Sequence, residues 1–289
     1  MQHLPTPNRI AFQGAPGAYS DLACREAFPG VETVPCRTFA DAFASVRDGA
    51  CDLAMIPIDN TTAGRVADIH HLMPSSGIHI VGEYFRTISH HLMVLPDADE
   101  TSIKTVHSHV HALSQCRNMI ERRGLHAVVS ADTAGAAAEL AAEGDVTQAV
   151  IASELAAEIY GLKIIERHVE DTDTNSTRFM VMALEPIHPD LNDGPCVTTC
   201  VFRVRSVPAS LYKALGGFAT NGVNITKLES YISSNRFDVA RFYMDIEGHP
   251  DNRSVRLAME ELGFFSREVK ILGVYPASPL RIAGGGDDD

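Results

Sequence analysis

Residues 185 to 196, Glu-Pro-Ile-His-Pro-Asp-Leu-Asn-Asp-Gly-Pro-Cys, hold three prolines and a Gly-Pro turn. Proline fixes φ and lacks the N–H that helix and sheet interiors require, so no regular element crosses this stretch. By composition it is a linker, and it separates two different patterns. Before it, short apolar runs alternate with helical stretches, which predicts α/β layers around a largely parallel sheet. Strands are expected over 9–13, 32–36, 53–58, 79–82, 89–95, 127–129, 149–152 and 178–184. Helices are expected over 20–27, 40–48, 109–123 and 133–142, the last rich in alanine and suited to close packing on a sheet.

After the linker the pattern becomes strand 198–205, helix 209–220, strands 223–233 and 237–247, helix 252–262 and strand 268–274. That is βαββαβ, a ferredoxin-like arrangement. Ser234-Asn235 supplies the hairpin turn, and Pro208 opens the first helix, where a missing N–H costs nothing. Such a unit leaves a sheet face and its edge strands to be covered, for which a second copy of the chain is a natural partner. The chain therefore divides into 1–185, a linker 186–196, a second unit 197–277, and a tail 278–289. The tail ends in three glycines and three aspartates with nothing apolar to bury, and is expected to be disordered.

The chain has 289 residues, is 45% hydrophobic and carries a formal net charge of −13. Lys and Arg are scattered, whereas nucleic-acid binding needs clustered cations, so no nucleic-acid partner is expected. No apolar run approaches the roughly 20 residues that span a bilayer. Residues 1–8 lack the charged and apolar regions of a signal peptide. Cys24, Cys36, Cys51, Cys116, Cys196 and Cys200 show no C-x-x-C spacing and read as reduced, buried thiols, which points to the cytoplasm.

Chemistry is concentrated in a few segments. Asn175-Ser176-Thr177-Arg178-Phe179 runs straight into the apolar strand 180–184. Arg178 can grip a carboxylate with two hydrogen bonds, Phe179 can offer a ring face and Thr177 a proton; the plainer reading is a polar loop entering a buried strand. Residues 13–20, Gln-Gly-Ala-Pro-Gly-Ala-Tyr-Ser, link a strand to a helix. Gly14 and Gly17 permit a tight turn, and N–H groups from Gly17 and Ala18 into the helix start can bind an anion, or the segment is an ordinary turn. Residues 57–66, Pro-Ile-Asp-Asn-Thr-Thr-Ala-Gly-Arg-Val, leave a strand end where open α/β sheets hold ligands. Asn60, Thr61 and Thr62 are neutral donors there, Asp59 is structural or takes a proton, and Thr62 could equally cap a helix.

His107, His109 and His111 alternate in His-Ser-His-Val-His-Ala-Leu-Ser-Gln-Cys. They suit a metal only if extended, whereas Ser108 is a good N-cap for a helix to residue 123, which sends them to different faces. The preferred reading puts Ser108 at a cleft with Gln115 reaching in, and no metal. His70-His71 and His90-His91 read as surface or satisfied core histidines.

In order along the chain, GAPGAYS (14–20), PIDNTTAGRV (57–66), SHVHALSQC (108–116), VIASELAAEIYGL (150–162) and NSTRF (175–179) resemble prephenate dehydratase. NITKLES (224–230) resembles the ACT regulatory domain that follows in that family. The resemblance implies two α/β lobes like a periplasmic binding protein, with the active site between them. It implies conversion of prephenate to phenylpyruvate, water and carbon dioxide without metal or organic cofactor. Thr177 falls on the essential threonine, as donor to the leaving hydroxyl, in a dry site where a neighbouring donor polarises it. Arg178 would hold a carboxylate, and Asn60, Ser108 and Gln115 would position the ring and its hydroxyl. Asp59 stands where many members carry Glu, and Val110-His111 replace a commoner Pro-Gln.

The resemblance also implies L-phenylalanine as effector and a homodimer or homotetramer. Ala209, Ser210, Leu211, Asn224, Glu229 and Ser230 fall on the effector positions. Both motifs are altered: Ala209-Ser210-Leu211 replaces Gly-Ala-Leu, and Glu229-Ser230-Tyr231-Ile232 replaces Glu-Ser-Arg-Pro. Arogenate dehydratase is the neighbouring enzyme reading. A non-catalytic amino-acid sensor is the reading from another class, and Thr177 weighs against it, since a pure binder needs no proton donor there.

Overall fold

The computed structural model of the chain describes residues 6–232 and 240–283. The chain starts β1 (Arg9–Gln13), α1 (Tyr19–Ala27), β2 (Glu32–Cys36), α2 (Phe39–Arg47), β3 (Leu53–Asn60), β4 (Gly64–Arg65), α3 (Ala67–Leu72) and β5 (His79–Thr87). It continues through β6 (His91–Val94), β7 (Thr105–Ser108), α4 (Val110–Gln115), α5 (Arg117–Arg123), β8 (His126–Val129), α6 (Thr133–Glu143), β9 (Gln148–Ala152), α7 (Glu154–Tyr160) and β10 (Lys163–Arg167). Next come β11 (Ser176–Ala183), β12 (Cys196–Val204), α8 (Ser210–Thr220), β13 (Ile225–Ile232) and β14 (Ala240–Glu247). Last are α9 (Arg253–Phe265), β15 (Ser266–Pro276) and α10 (Pro279–Ala283). The expected hairpin turn at Ser234-Asn235 and residues 284–289 of the tail lie outside the described residues. Residues 278–283, expected to be disordered, are instead ordered: they carry α10, tied down by the Ser278 N–H (3.0 Å) and Arg281 Nε (2.9 Å) donating to Glu83 Oε1.

Three sheets result. The first has the order β2-β1-β3-β11-β5, with β4 on β3; the second is β10-β6-β9-β7-β8; the third is β13-β14-β12-β15. Two of the five strand pairings in the first sheet and two of the four in the second are parallel and the rest antiparallel, so the expected largely parallel sheet is instead mixed. The reason is connectivity. The chain leaves the first lobe after β5, builds the second, and returns through β11, which inserts antiparallel between β3 and β5. The two crossings run side by side: Ile88 N–H donates to Asn175 O at 2.8 Å and Val169 N–H to His90 O at 2.9 Å.

The third sheet is antiparallel throughout and is the ferredoxin-like unit expected from βαββαβ. Helices α8 and α9 cover one of its faces over Cys200, Phe202, Met244 and Ile246. Its other face is not left for a second copy. Val197, Val201, Tyr243, Leu272 and Tyr275 share one core with Ile56, Ile80, Met180 and Met182 of the first sheet. A Cβ at Gly273 would collide with the Ile80 carbonyl, so only glycine permits this approach. Within the linker, Ile187 packs into both flanking cores and pins the segment down.

The helix expected over 109–123 is broken in two. Asp171 accepts from the N–H groups of Arg117 (3.0 Å) and Asn118 (3.1 Å), while its own N–H donates to Gln115 O at 2.6 Å. A carboxylate capping the start of α5 replaces the continuous helical bonds at Cys116. All six cysteines are free and buried. Among the described residues no helix is long and apolar enough to cross a membrane.

Candidate active site

A cavity of about 370 Å³ opens between the two lobes, within the size range of small-molecule sites. Its walls bring together Ala18, Tyr19 and Ser20 from the start of α1, Pro57 and Asn60 from β3, Gln115 from α4, and Thr177 and Phe179 from β11. Ile88, His90 and Asn175 of the crossing segments form its floor. Residues 177 and 179 reach it together because alternate residues of a strand share a face.

The floor carries a chain of hydrogen bonds whose direction is set at one end. Asn60 Oδ1 accepts from the N–H groups of Thr62 (3.0 Å) and Ala63 (2.7 Å), which fixes the orientation of its amide. Asn60 Nδ2 therefore donates twice, to Asn175 Oδ1 at 2.6 Å and to Thr177 Oγ1 at 2.8 Å. Asn175 Nδ2 then donates to Gln115 Oε1 at 2.8 Å. His90 Nε2, 3.0 Å from that same oxygen, must carry a proton and donate as well. Its Nδ1 is then the acceptor 2.6 Å from Tyr19 OH, whose one proton it shares with Ser89 O at 2.9 Å. Burial holds His90 below the ordinary histidine range, which favours this neutral tautomer, although the bond to Gln115 and the Glu170 charge oppose the shift. Burial also pushes the Tyr19 hydroxyl well above the usual tyrosine range, keeping it protonated.

The consequence falls on Thr177. Its oxygen already accepts from Asn60, and among the described residues no protein group takes its proton. Thr177 is itself buried and lines the cleft, so its hydroxyl is left there as a polarised donor.

Several expected residues lie elsewhere. Arg178 is buried on the opposite face of β11, donating to Glu83 Oε2 (2.8 Å), Asp245 Oδ2 (2.5 Å) and Tyr275 OH (3.1 Å). It cannot clamp a substrate carboxylate; strand alternation sends it away from Thr177's side. Asp59 faces the third sheet too, accepting from Lys227 Nζ at 2.7 Å. Ser108 ends β7, buried, with its hydroxyl donating to Ile151 O at 2.6 Å; His109, not Ser108, caps α4. Thr61 ties β3 to the returning crossing, donating to Thr174 O and accepting from Ser176 N–H, both at 2.9 Å. Gly17 packs against the Ala156 backbone, its N–H bound to Asp21 (2.8 Å) and its carbonyl to Ser153 Oγ (2.5 Å). It joins the lobes, and the start of α1 beside it carries no side-chain cap. Thr62 begins a tight β3–β4 connection and caps no helix.

His107 hydrogen-bonds Thr105 and does not meet His109 and His111, whose rings lie 5.1 Å apart beside the cleft. The sequence reading missed His90, Tyr19 and Asn175 as members of this hydrogen-bond chain. Two of the three belong to quoted motifs, and their signal was the clustering of hydrogen-bonding side chains where the chain turns.

On the third sheet, Ser210 lines a cavity of about 420 Å³ with Arg203, Arg205 and Arg267. Ala209, standing where the resembling family shows glycine, has φ 59°, a left-handed conformation that glycine takes freely. Helix α8 thus starts at Ser210, one residue later than Pro208 predicts. Leu211 packs into the core under α8. Asn224 donates to Glu247 at 3.2 Å. Glu229 and Ser230 are not at this cavity: Glu229 pairs with Lys227 (3.2 Å) and Arg65 (3.5 Å), and Arg65 donates to Ser230 O at 3.1 Å.

Fold and site define a two-lobed α/β protein with a small-molecule cleft and one activated hydroxyl at its floor. The sequence matches the family described as prephenate dehydratase over residues 10–187, and the chain belongs to that family. It is 48% identical over 272 residues, 94% of this chain and 97% of the relative, to a bifunctional N-acyl-homoserine lactone acylase/prephenate dehydratase of Komagataeibacter europaeus. It is 36% identical over 288 residues, 94% of this chain and 73% of the relative, to arogenate dehydratase/prephenate dehydratase 1 of Arabidopsis thaliana. The solved structure of prephenate dehydratase in complex with L-Phe from Arthrobacter aurescens matches with TM-score 0.85 at 28% identity, covering 93% of this chain and 90% of that one.

Proposed function

We propose that the chain converts prephenate to phenylpyruvate, and the observation that carries this is the Asn60-to-Thr177 hydrogen bond. In this reaction the ring C–O bond breaks, the bond to the ring carboxylate breaks, and its electrons complete the aromatic ring. Prephenate dianion plus one proton gives phenylpyruvate anion, water and carbon dioxide. Thr177 donates to the departing hydroxyl, strengthened by the N–H that Asn60 directs at its oxygen, and recovers a proton from solvent.

The cleft walls fit this chemistry. Among the lining residues there is no Lys or Arg. A cation over the ring carboxylate would hold it back, whereas Pro57, Val66, Ile88 and Phe179 favour its loss as a neutral gas. The side-chain carboxylate that is kept finds the uncapped start of α1 and the Ser20 hydroxyl.

The third sheet with its helices acts as an ACT regulatory domain taking L-phenylalanine, the carboxylate drawn to the Arg203, Arg205 and Arg267 cavity. Arogenate is a second reading of the same cleft, favoured by Asp132, the single acidic side chain on its wall, which could face an ammonium. A lining without Lys or Arg also suits a neutral acyl lactone of the kind that names the Komagataeibacter relative. Incubating the purified chain separately with prephenate, arogenate and an N-acyl-homoserine lactone tests all three. Phenylpyruvate formed from prephenate at the highest kcat/KM is expected; its absence sinks the proposal.

A further inference from the structure

Asp59 and Arg178 point away from the cleft, yet each is the immediate chain neighbour of a residue that makes it work. Across β3 and β11 the register pairs Thr177 with Asn60 and Arg178 with Asp59. The first pair meets over the cleft. The second faces the third sheet, and both of its members are held there by charge. Lys227 of β13 grips Asp59 at 2.7 Å, and Asp245 of β14 grips Arg178 at 2.5 Å. Arg281 and Glu83 complete the Arg178 side at 2.8 Å, and Glu229 with Arg65 completes the Lys227 side. The ladder also carries an irregularity between Arg178 and Phe179, just beyond the catalytic pair. A strand bends and twists locally at such a point, so its course depends on what holds the flanking side chains.

We propose that Asp59 and Arg178 are positioning residues through which the C-terminal sheet sets the Asn60–Thr177 hydrogen bond. The inference rests on the dehydratase reading of the cleft. The link is one peptide unit long on each strand. Lys227 and Asp245 are cross-strand partners in the third sheet, so a shift of that sheet carries both anchors together and displaces the 59–178 pair against the neighbouring 60–177 pair. A hydrogen bond of 2.8 Å loses its geometry within a fraction of an ångström of such movement. Thr177 would then donate less effectively while the α1 start and the apolar walls still bind substrate. A ligand on the third sheet that prefers a displaced arrangement lowers turnover by its differential affinity, with no contact to the cleft.

Lys227→Met in the full chain is the primary test. It removes the grip on Asp59, and the aspartate left behind is partly exposed and can hydrate. kcat on prephenate should fall by about five- to twentyfold, within the range of coupling energies between sites. KM should stay within about twofold, because ground-state contacts are untouched. Lys227→Arg should restore most of the loss. Combined with Thr177→Ala, Lys227→Met should bring no further loss, since it acts through that hydroxyl. Asp245→Asn should reproduce the kcat effect from the Arg178 side. Unchanged kcat in Lys227→Met, an effect on KM alone, or losses that multiply in the double variant overturn the inference. A parent chain inactive on prephenate overturns the dehydratase reading itself; an active parent indifferent to Lys227→Met overturns only this one.

Discussion

Thr177 and Arg178 are neighbours in sequence that serve opposite faces of β11. The threonine lines the cleft with Asn60, and the arginine is locked into Glu83, Asp245 and Tyr275 beneath the C-terminal sheet. Two adjacent residues therefore serve two tasks: presenting a hydroxyl to the cleft and docking a domain.

Thr177→Ala should lower kcat on prephenate by on the order of 10²-fold with KM little changed. A donor to the departing group strengthens mainly in the transition state. Thr177→Ser should keep part of the activity. Steady-state kinetics checks both, and near-normal kcat in Thr177→Ala would remove the threonine from the chemistry.

Asn60→Asp is a sharper test because it keeps the shape and removes the donor. The carboxylate could still accept from Thr62 and Ala63, but it could only accept from Thr177, turning the hydroxyl proton away from the cleft. Its loss in kcat should match that of Thr177→Ala, on the order of 10²-fold. A variant as active as the parent would mean that the direction of this bond is irrelevant.

Most of the architecture was legible in the sequence because apolar periodicity and proline breaks are local signals. β1 and β2 fall where the pattern puts them, and the βαββαβ order after the linker is recovered. Sheet polarity was not legible, since the antiparallel entry of β11 depends on a return from a lobe more than eighty residues long. Alternation along β11 could have separated Arg178 from Thr177. The motif was read as a cluster of side chains, and a strand deals such a cluster to two faces. Ser108 failed for a related reason: a good capping residue by type, it is consumed by a strand end and the Ile151 carbonyl. His90 was passed over because its role comes from Gln115 and Tyr19, which lie far away in sequence.

Arg178→Lys should destabilise the fold and leave substrate affinity nearly unchanged. Lysine keeps the charge but cannot reach Glu83, Asp245 and Tyr275 together from one nitrogen. Losing charged hydrogen bonds in a buried site costs about 2–3 kcal/mol. Urea unfolding and KM measured side by side decide it, and a raised KM with unchanged stability would return the arginine to substrate binding.

Acid should loosen the same cluster. Burial alone would raise the Glu83 carboxyl, but the hydrogen bond from Arg281 and the Arg178 charge outweigh it and hold the group below its usual range. A carboxylate whose folded value is depressed stabilises the fold above its ordinary range, near pH 4.3. That contribution disappears as pH falls through the lower folded value. Unfolding free energy measured from neutral pH downward should fall on entering the carboxylate range. Glu83→Gln, already less stable at neutral pH, should show a shallower fall; parallel curves would mean that Glu83 contributes nothing to the acid response.

L-phenylalanine should bind the intact chain and lower its turnover of prephenate. The cavity beside Ser210 gathers three guanidinium groups in a chain whose net charge is −13, a local field suited to a carboxylate. Cutting the chain near residue 190 is not a usable control, since the third sheet covers Ile80, Met180 and Met182 of the first lobe. Arg267→Glu is the better one: this exposed side chain bears no core packing, and reversing its charge should weaken phenylalanine about tenfold or more, the range of charge-pair effects at binding sites. Its kcat without effector should equal the parent's. Calorimetric titration of both proteins, with kinetics at rising phenylalanine, gives the answer. No binding to the intact chain would mean that this domain does not sense phenylalanine; equal inhibition of both proteins would put the amino acid in the cleft and not at the arginines.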